Sequence, residues 1–241
     1  MASVKSHQYQ HRNLSFATAL RLLIRSKGKI MNKKEAFIEI MDFRHACKLF
    51  HDTKKISDAD INYILDVARK SPSSFGMEAW KFLVISNEEL KAKLRPFCWD
   101  QVQITSCSHL VIILAGIDSL KVESGIVRSQ LMRRNLPQDK LDAFINRYAS
   151  HLSDTLSSDD KTYQWSARQT YIAAANMMNA AASVGIDSCP IEGFEKDNVE
   201  KVLGLDTTKY QVAMFLPFGY RVKEQSARLR SSFESVVEFI K

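Results

Sequence analysis

Residues 161–194 read KTYQWSARQTYIAAANMMNAAASVGIDSCPIEGF. Lys161 to Val184, rich in alanine and methionine, is predicted to be one long helix, because both are strong helix formers. Gly185 closes it as the residue after the helix, where a left-handed backbone is wanted. Ile186 to Ile191 then runs extended. Pro190 stiffens that run, and Gly193 lets the backbone come close to a flat ligand. Helix returns at Lys196 to Leu203.

The flanking chain repeats this alternation. Glu35 to Phe43 suits a helix. Ser57 is an N-cap candidate with Asp60 three residues on, and Ile61, Ile64, Leu65 and Ala68 follow at helical spacing. Pro72 ends that helix by pushing its predecessor out of the α region. Phe82 to Ser86 reads as a short strand and Glu88 to Leu94 as a helix. Leu110 to Ala115 is apolar throughout, so this strand is expected to be covered on both faces. Residues 118–160 are charged and irregular. They predict two exposed helices, roughly 119–134 and 138–150, broken at Pro137. Tyr210 to Tyr220 is a third strong strand, and Phe233 to Ile240 a short strand or helix. Few strands among long helices give an α/β or α+β layered domain.

The 241 residues include 45% hydrophobic and 25% charged side chains. That is ample core material and excludes a disordered chain over most of its length. No apolar run approaches the roughly 18 residues of a membrane span. Cys47, Cys98, Cys107 and Cys189 lie far apart with no C-x-x-C, which argues against a disulfide scaffold or zinc site and for reduced, cytoplasmic thiols. The formal charge of +7 belongs almost entirely to residues 1–30, which hold six Lys/Arg and no acid; the rest carries 28 basic against 27 acidic residues. Nucleic acid is therefore not expected as a partner of the body. The tail itself reads as a transit peptide, a polyanion-binding arm, or upstream translation ahead of a start at Met31.

There is no G-x-G-x-x-G, no P-loop and no G-x-S-x-G elbow. Four segments do look like parts of one site. Arg44-His45-Ala46-Cys47-Lys48 sets two cations at i, i+4, either a solvated pair or a phosphate clamp. Ser71-Pro72-Ser73-Ser74-Phe75-Gly76-Met77-Glu78-Ala79-Trp80 is a hydroxyl-bearing loop between a helix and a strand. Gly185-Ile186-Asp187-Ser188-Cys189-Pro190-Ile191-Glu192-Gly193-Phe194 is the turn described above, or an ordinary strand-to-helix connection. Arg228-Leu229-Arg230 can aim both guanidiniums one way if extended.

In this order the segments resemble the FMN-dependent NAD(P)H nitroreductases, in particular the oxygen-insensitive nitroreductase/flavin reductase branch. The likeness runs from about residue 36 to 230, except in 118–160. It implies an α+β layered fold with a small central mixed sheet covered by helices, a homodimer with flavin at the interface, FMN as cofactor and NAD(P)H as co-substrate. It implies that Arg44, His45, Ala46 and Lys48 bind FMN, with Ala46 replacing the usual Ser, and that Arg228 and Arg230 complete the phosphate site. Pro72, Ser73, Ser74 and Gly76 would contact flavin bound mainly by the partner subunit. Asp100 and Gln103 fall on the family's N-Q-x-Q stretch, Asp100 departing from Asn. Pro190, Ile191, Glu192 and Gly193 would lie against the isoalloxazine, the Glu192 backbone near N5. No side chain is implied to be an essential acid or base. Phe97 and Trp99 are candidates for the substrate channel or for core aromatics. Residues 31–241 would form the FMN-binding domain, with 118–160 as a helical cover. Ala173, Ala174, Ala180 and Ala181 would either let two long helices approach across the dimer or simply pack inside one chain. The implied reaction is hydride transfer from NAD(P)H to flavin N5, then two electrons to nitroaromatics, quinones or flavins. Alternatives are an FMN reductase with an enone or quinone acceptor, and a flavin-free binding protein with a basic nucleic-acid-binding tail.

Overall fold

The computed structural model describes residues 32–241, together with the backbone of two short strands, β1 (Arg25–Ser26) and β2 (Lys29–Ile30), which pair antiparallel. Those strands apart, residues 1–31 lie outside the described residues, and with them the readings of the basic tail. The chain divides into two compact units, Met1–Asp42 and Phe43–Lys241.

In the first unit α1 (Lys33–Phe43) begins at a reciprocal cap. Asn32 Oδ1 accepts from the Lys34 and Glu35 N–H groups, and Glu35 Oε2 accepts from Asn32 N–H. Three backbone donors are thereby satisfied.

The second unit carries the sheet. α2 (Asp58–Arg69) starts where Ser57 accepts from Asp60 N–H, as the sequence predicted. β3 (Trp80–Ile85) begins two residues ahead of the expected strand, and α3 (Glu88–Leu94) matches its prediction. The one-turn α4 (Gln103–Ser106) leads into β4 (His109–Gly116). After α5 (Ile126–Met132) and α6 (Gln138–His151) comes the long α7 (Asp159–Ser183), followed by Gly185 at φ +74°. β5 (Asp187–Ser188), α8 (Lys196–Leu203), β6 (Tyr210–Gly219) and the single-turn α9 (Phe233–Val236) complete the chain.

The sheet order is β3-β4-β6-β5, and every neighbouring pair is antiparallel. Among the described residues the expected mixed pairing survives only as one parallel bridge, Ala46 with Ser188, at the β5 edge. Alternation along β4 splits its apolar run between two cores. Leu110, Ile112 and Leu114 face a cluster with Leu94, Ile104, Val199 and Phe215. Val111 and Ile113 face one with Ile61, Ile64, Met177 and Ala181. Both faces are covered, as a strand without polar alternation requires. Ala173, Ala174, Ala180 and Ala181 are buried within this one chain, so the reading that they form a helix contact across a dimer is overturned.

A bulge interrupts the β4–β6 ladder between Ile113 and Leu114. The Val212 N–H at this irregularity donates to the buried Glu200 carboxylate at 2.8 Å. The expected helix over 119–134 is also interrupted. Two 3₁₀ turns, Asp118–Leu120 and Val122–Ser124, precede Gly125 at φ +74°, and only then does α5 begin. A left-handed residue cannot sit inside an α-helix.

Candidate functional site

The 44–48 segment is held by an ion pair the sequence did not reveal. Arg221, just past β6, donates from Nε to Asp187 Oδ1 at 2.9 Å and from its backbone N–H to Asp187 Oδ2 at 2.9 Å. Its Nη2 reaches the Phe43 carbonyl at 3.1 Å, and its guanidinium lies 4.2 Å from the Phe43 ring centroid. Asp187 and Arg221 are 34 residues apart and meet because Asp187 is paired with Gly219. The bundle fixes the chain immediately before Arg44. His45 Nδ1 lies 3.6 Å from Asp187 Oδ1. Burial first, and the Arg221 charge second, hold the His45 imidazole below its ordinary pKa.

Beyond this anchor the two cationic ends of the motif set converge. A cavity of about 230 Å³ is lined by Arg44, His45, Ala46, Pro190, Arg228 and Arg230, with Met178 and Ser188 behind them. No acid is in that lining. The Arg228 guanidinium donates to the Arg44 carbonyl, 184 residues away in sequence. Burial, then Arg228, then Arg230, lower the Arg44 pKa. Three guanidiniums gathered at one cavity repel one another. An anion entering there would reverse that repulsion, each charge-assisted contact contributing roughly 1.5–3 kcal/mol.

The Pro190 side of the cavity leads into a second cluster. Lys48 Nζ lies 3.6 Å and Gln103 Nε2 4.0 Å from the Cys189 sulfur. Burial raises the Cys189 pKa, with Lys48 opposing it. Ile191 is tied to Phe215 by reciprocal backbone bonds of 2.9 and 3.0 Å. Past Ile191 the Glu192 and Gly193 N–H groups donate to nothing among the described residues. A Cβ at Gly193 would stand 2.5 Å from the Trp99 indole, so only glycine fits beneath that ring.

The remaining predicted residues are placed elsewhere. Trp99 is 69% exposed against Gly193, whereas Phe97 packs on the sheet core. Asp100 takes a left-handed backbone at φ +50°, and its exposed carboxylate lies 3.9 Å from Arg95 Nε. It therefore does not join the cluster that Gln103 joins. The 72–76 loop follows α2 and is not part of the cavity wall. Ser73 Oγ accepts from Glu78 N–H at 2.8 Å, and Ser74 N–H donates to Gln169 of α7 at 2.9 Å. Gly76, at φ +66°, lies under Arg134, which donates to the Phe75 carbonyl at 2.8 Å. Pro72 is exposed at the start of that loop.

Sequence reasoning missed Arg221, and it gave no role to Asp187, Cys189 or Gln101 although each lies in a stretch it singled out. Gln101 had a signal, since it sits inside the 100–103 stretch already singled out. The Asp187–Arg221 pair had none, because a strand pairing creates it.

A fold with one four-stranded antiparallel sheet, a cationic cavity at its edge and a donor-bearing turn beside it defines the class. The Nitroreductase family model matches residues 41–220, and the chain belongs to that family. "Putative NAD(P)H nitroreductase YfkO" of Bacillus subtilis is 37% identical over 217 residues, covering 86% of this chain and 98% of that protein. A Staphylococcus haemolyticus relative of the same kind of name is 40% identical over 219 residues, covering 86% and 98%. A solved Exiguobacterium sibiricum nitroreductase in complex with FMN matches with a TM-score of 0.72 at 24% identity, covering 84% of this chain and 96% of that one, which establishes the fold.

Proposed function

We propose that this chain is an FMN-dependent oxidoreductase that takes a hydride from NAD(P)H and passes two electrons to nitroaromatics, quinones or flavins. The supporting observation is the convergence of Arg44, Arg228 and Arg230 on one acid-free cavity beside a turn with two unused N–H donors. Family membership and the FMN-bound fold neighbour agree with it.

FMN bound here would supply a centre that accepts a hydride and returns electrons in pairs. The chain's own tasks are binding and orientation. Arg44, Arg228 and Arg230 hold the phosphate, with His45 and Ala46 completing the wall. Pro190, exposed beside the cavity, presents a stiff apolar edge to the ring, while Ile191, buried in the sheet core rather than facing the ligand, anchors the turn. Glu192 and Gly193 offer their N–H groups to the ring's electron-accepting side, while the missing Gly193 side chain makes room for the Trp99 indole. Lys48, which meets Cys189, offers a polar donor nearby, whereas the buried Gln103 amide is engaged with Gln101 and Cys189 and acts through them. Asp100, turned toward Arg95, contributes no side-chain contact. Pro72, Ser73, Ser74 and Gly76 would complete the site from the other subunit of a homodimer. Residues 31–241 form the binding domain in this reading, and 118–160 cover it. Trp99, exposed over Gly193, would meet small-molecule acceptors first.

The test is anaerobic. Purified protein should bind FMN, bleach on titration with NADPH or NADH, and recover its colour with a nitroaromatic or quinone. Arg228→Ala with Arg230→Ala should weaken FMN binding by about two to four orders of magnitude at two contacts of this type. Unchanged FMN affinity in that variant would remove both residues from the phosphate site. Protein that cannot be reconstituted with flavin would favour the binding-protein alternative.

A further inference from the structure

We infer that Gln101 is a positioning residue that locks the Glu192–Gly193 turn in the orientation the flavin ring requires; this rests on the flavin reading above. The Gln101 side-chain amide makes three hydrogen bonds, through both N–H donors and one acceptor site of the oxygen. Nε2 donates to the Gly193 carbonyl at 2.9 Å and to the Cys98 carbonyl at 3.0 Å. Oε1 accepts from Gln103 Nε2 at 2.9 Å. A single amide thus ties the loop after Cys98, the start of α4 and the turn past Ile191.

The turn needs such a tie. Before it, Ile191 is paired with Phe215, and after it the Glu195 N–H donates to the Phe97 carbonyl at 2.8 Å. Between those anchors the turn has its own short Phe194 N–H to Glu192 carbonyl bond at 3.1 Å. Among the described residues, the Tyr171 hydroxyl reaches the Glu192 side chain, and Gln101 supplies the hydrogen bond from outside the turn to the backbone of residues 192–194. Gly193 is the residue with the widest backbone freedom, so its peptide planes are the easiest to rotate. Holding the Gly193 carbonyl from one side restrains the plane of the Gly193–Phe194 peptide, and through it the direction of the neighbouring N–H groups. Trp99 closes over the same glycine, which limits movement without choosing an orientation. The hydrogen bond chooses it. Donors fixed before the ligand arrives need no reorganisation on binding.

The experiment combines hydrogen exchange with binding of two flavins to Gln101→Met, which keeps the side-chain length and removes both donors. Gln101→Glu serves as the second variant, isosteric but without the N–H groups. In either, exchange at the Phe194 amide, the hydrogen-bonded one of the turn, should rise at least tenfold in the flavin-free protein while exchange across β6 stays unchanged. Affinity for FMN and for riboflavin, which lacks the phosphate, should fall by the same factor of about five to twenty, because the loss is on the ring side. By contrast, Arg228→Ala should weaken FMN alone. Unchanged exchange at the turn overturns the inference, as does faster exchange with unaltered flavin affinity. A factor confined to FMN also overturns it, since it would place the effect at the phosphate. Wild-type protein that binds neither flavin defeats the parent reading instead, and is recognised before any variant is made.

Discussion

The sheet and the 118–160 segment are built on different terms. Strands β4 and β6 are nearly continuous apolar runs, and each side chain meets helices on one face or the other. The 118–160 segment has its own cluster, in which Leu120, Val127, Leu131, Leu141, Ile145, Tyr148 and Leu152 close over Met77 and Ala79. Its outer surface is charged, and polar ties help to hold it to the 73–78 loop. Arg133 pairs with Glu78 at 3.0 Å, Arg134 holds the Phe75 carbonyl, and the Phe75 ring packs edge-on against Tyr148 at 5.2 Å. Phe75 itself takes φ +56°, a conformation that costs an ordinary residue energy and that these contacts hold in place. The sheet therefore carries the global fold and the cationic cavity, whereas the segment is a local structure whose loss should be felt locally.

The most severe way to test that contrast is Phe215→Ala. Phe215 is fully buried in the sheet core, and its removal should lower unfolding free energy by about 3–5 kcal/mol in urea melts, with exchange rising everywhere. Tyr148→Phe should cost about 1–2 kcal/mol, because it strips the Leu120 carbonyl of the hydroxyl donor at 2.7 Å and leaves that acceptor buried. Exchange should then rise in 118–152 and stay unchanged in β4; a rise in β4 would merge the two regions into one cooperative unit. Arg133→Ala removes an exposed ion pair and should change stability by about 0.2–1 kcal/mol, less at high salt.

The smallest effect concerns pH. The His45 pKa is lowered in the folded chain, so the unfolded chain binds a proton first as pH falls. Stability contributed by the neutral imidazole is present above the ordinary histidine value of about 6.5 and declines as pH drops below it. His109, lowered by burial as well, acts in the same direction. His45→Asn should therefore flatten part of the acid-side decline in urea midpoint, leaving the His109 share. An identical pH profile in the variant would show that His45 does not carry it.

Much of this was legible in the residues. The Ser57 cap, α3, α8 and the strand around Leu110 to Ala115 follow from local spacing and turn chemistry, and each lies where those signals put it. The same local signals were misjudged at one residue of the stretch itself and failed at one contact made in space. Gly125 broke the helix expected over 119–134, and the alanine face of α7 went to the sheet of its own chain. Candidate site residues divided similarly. Arg44, Arg228 and Arg230 were identifiable as cations in suggestive company, but Asp100 was not seen to turn toward Arg95.

By itself the amino-acid order determined where helices and strands form, which residues are apolar enough to be buried, and which motifs resemble a known set. Periodicity, capping and backbone preference act over a few residues, so they can be read one stretch at a time. Tertiary structure alone decided that Arg44 meets Arg228, that Asp187 meets Arg221, and that Gln101 grips Gly193. Such meetings depend on strand pairing and packing summed over the whole chain, and no local window contains them.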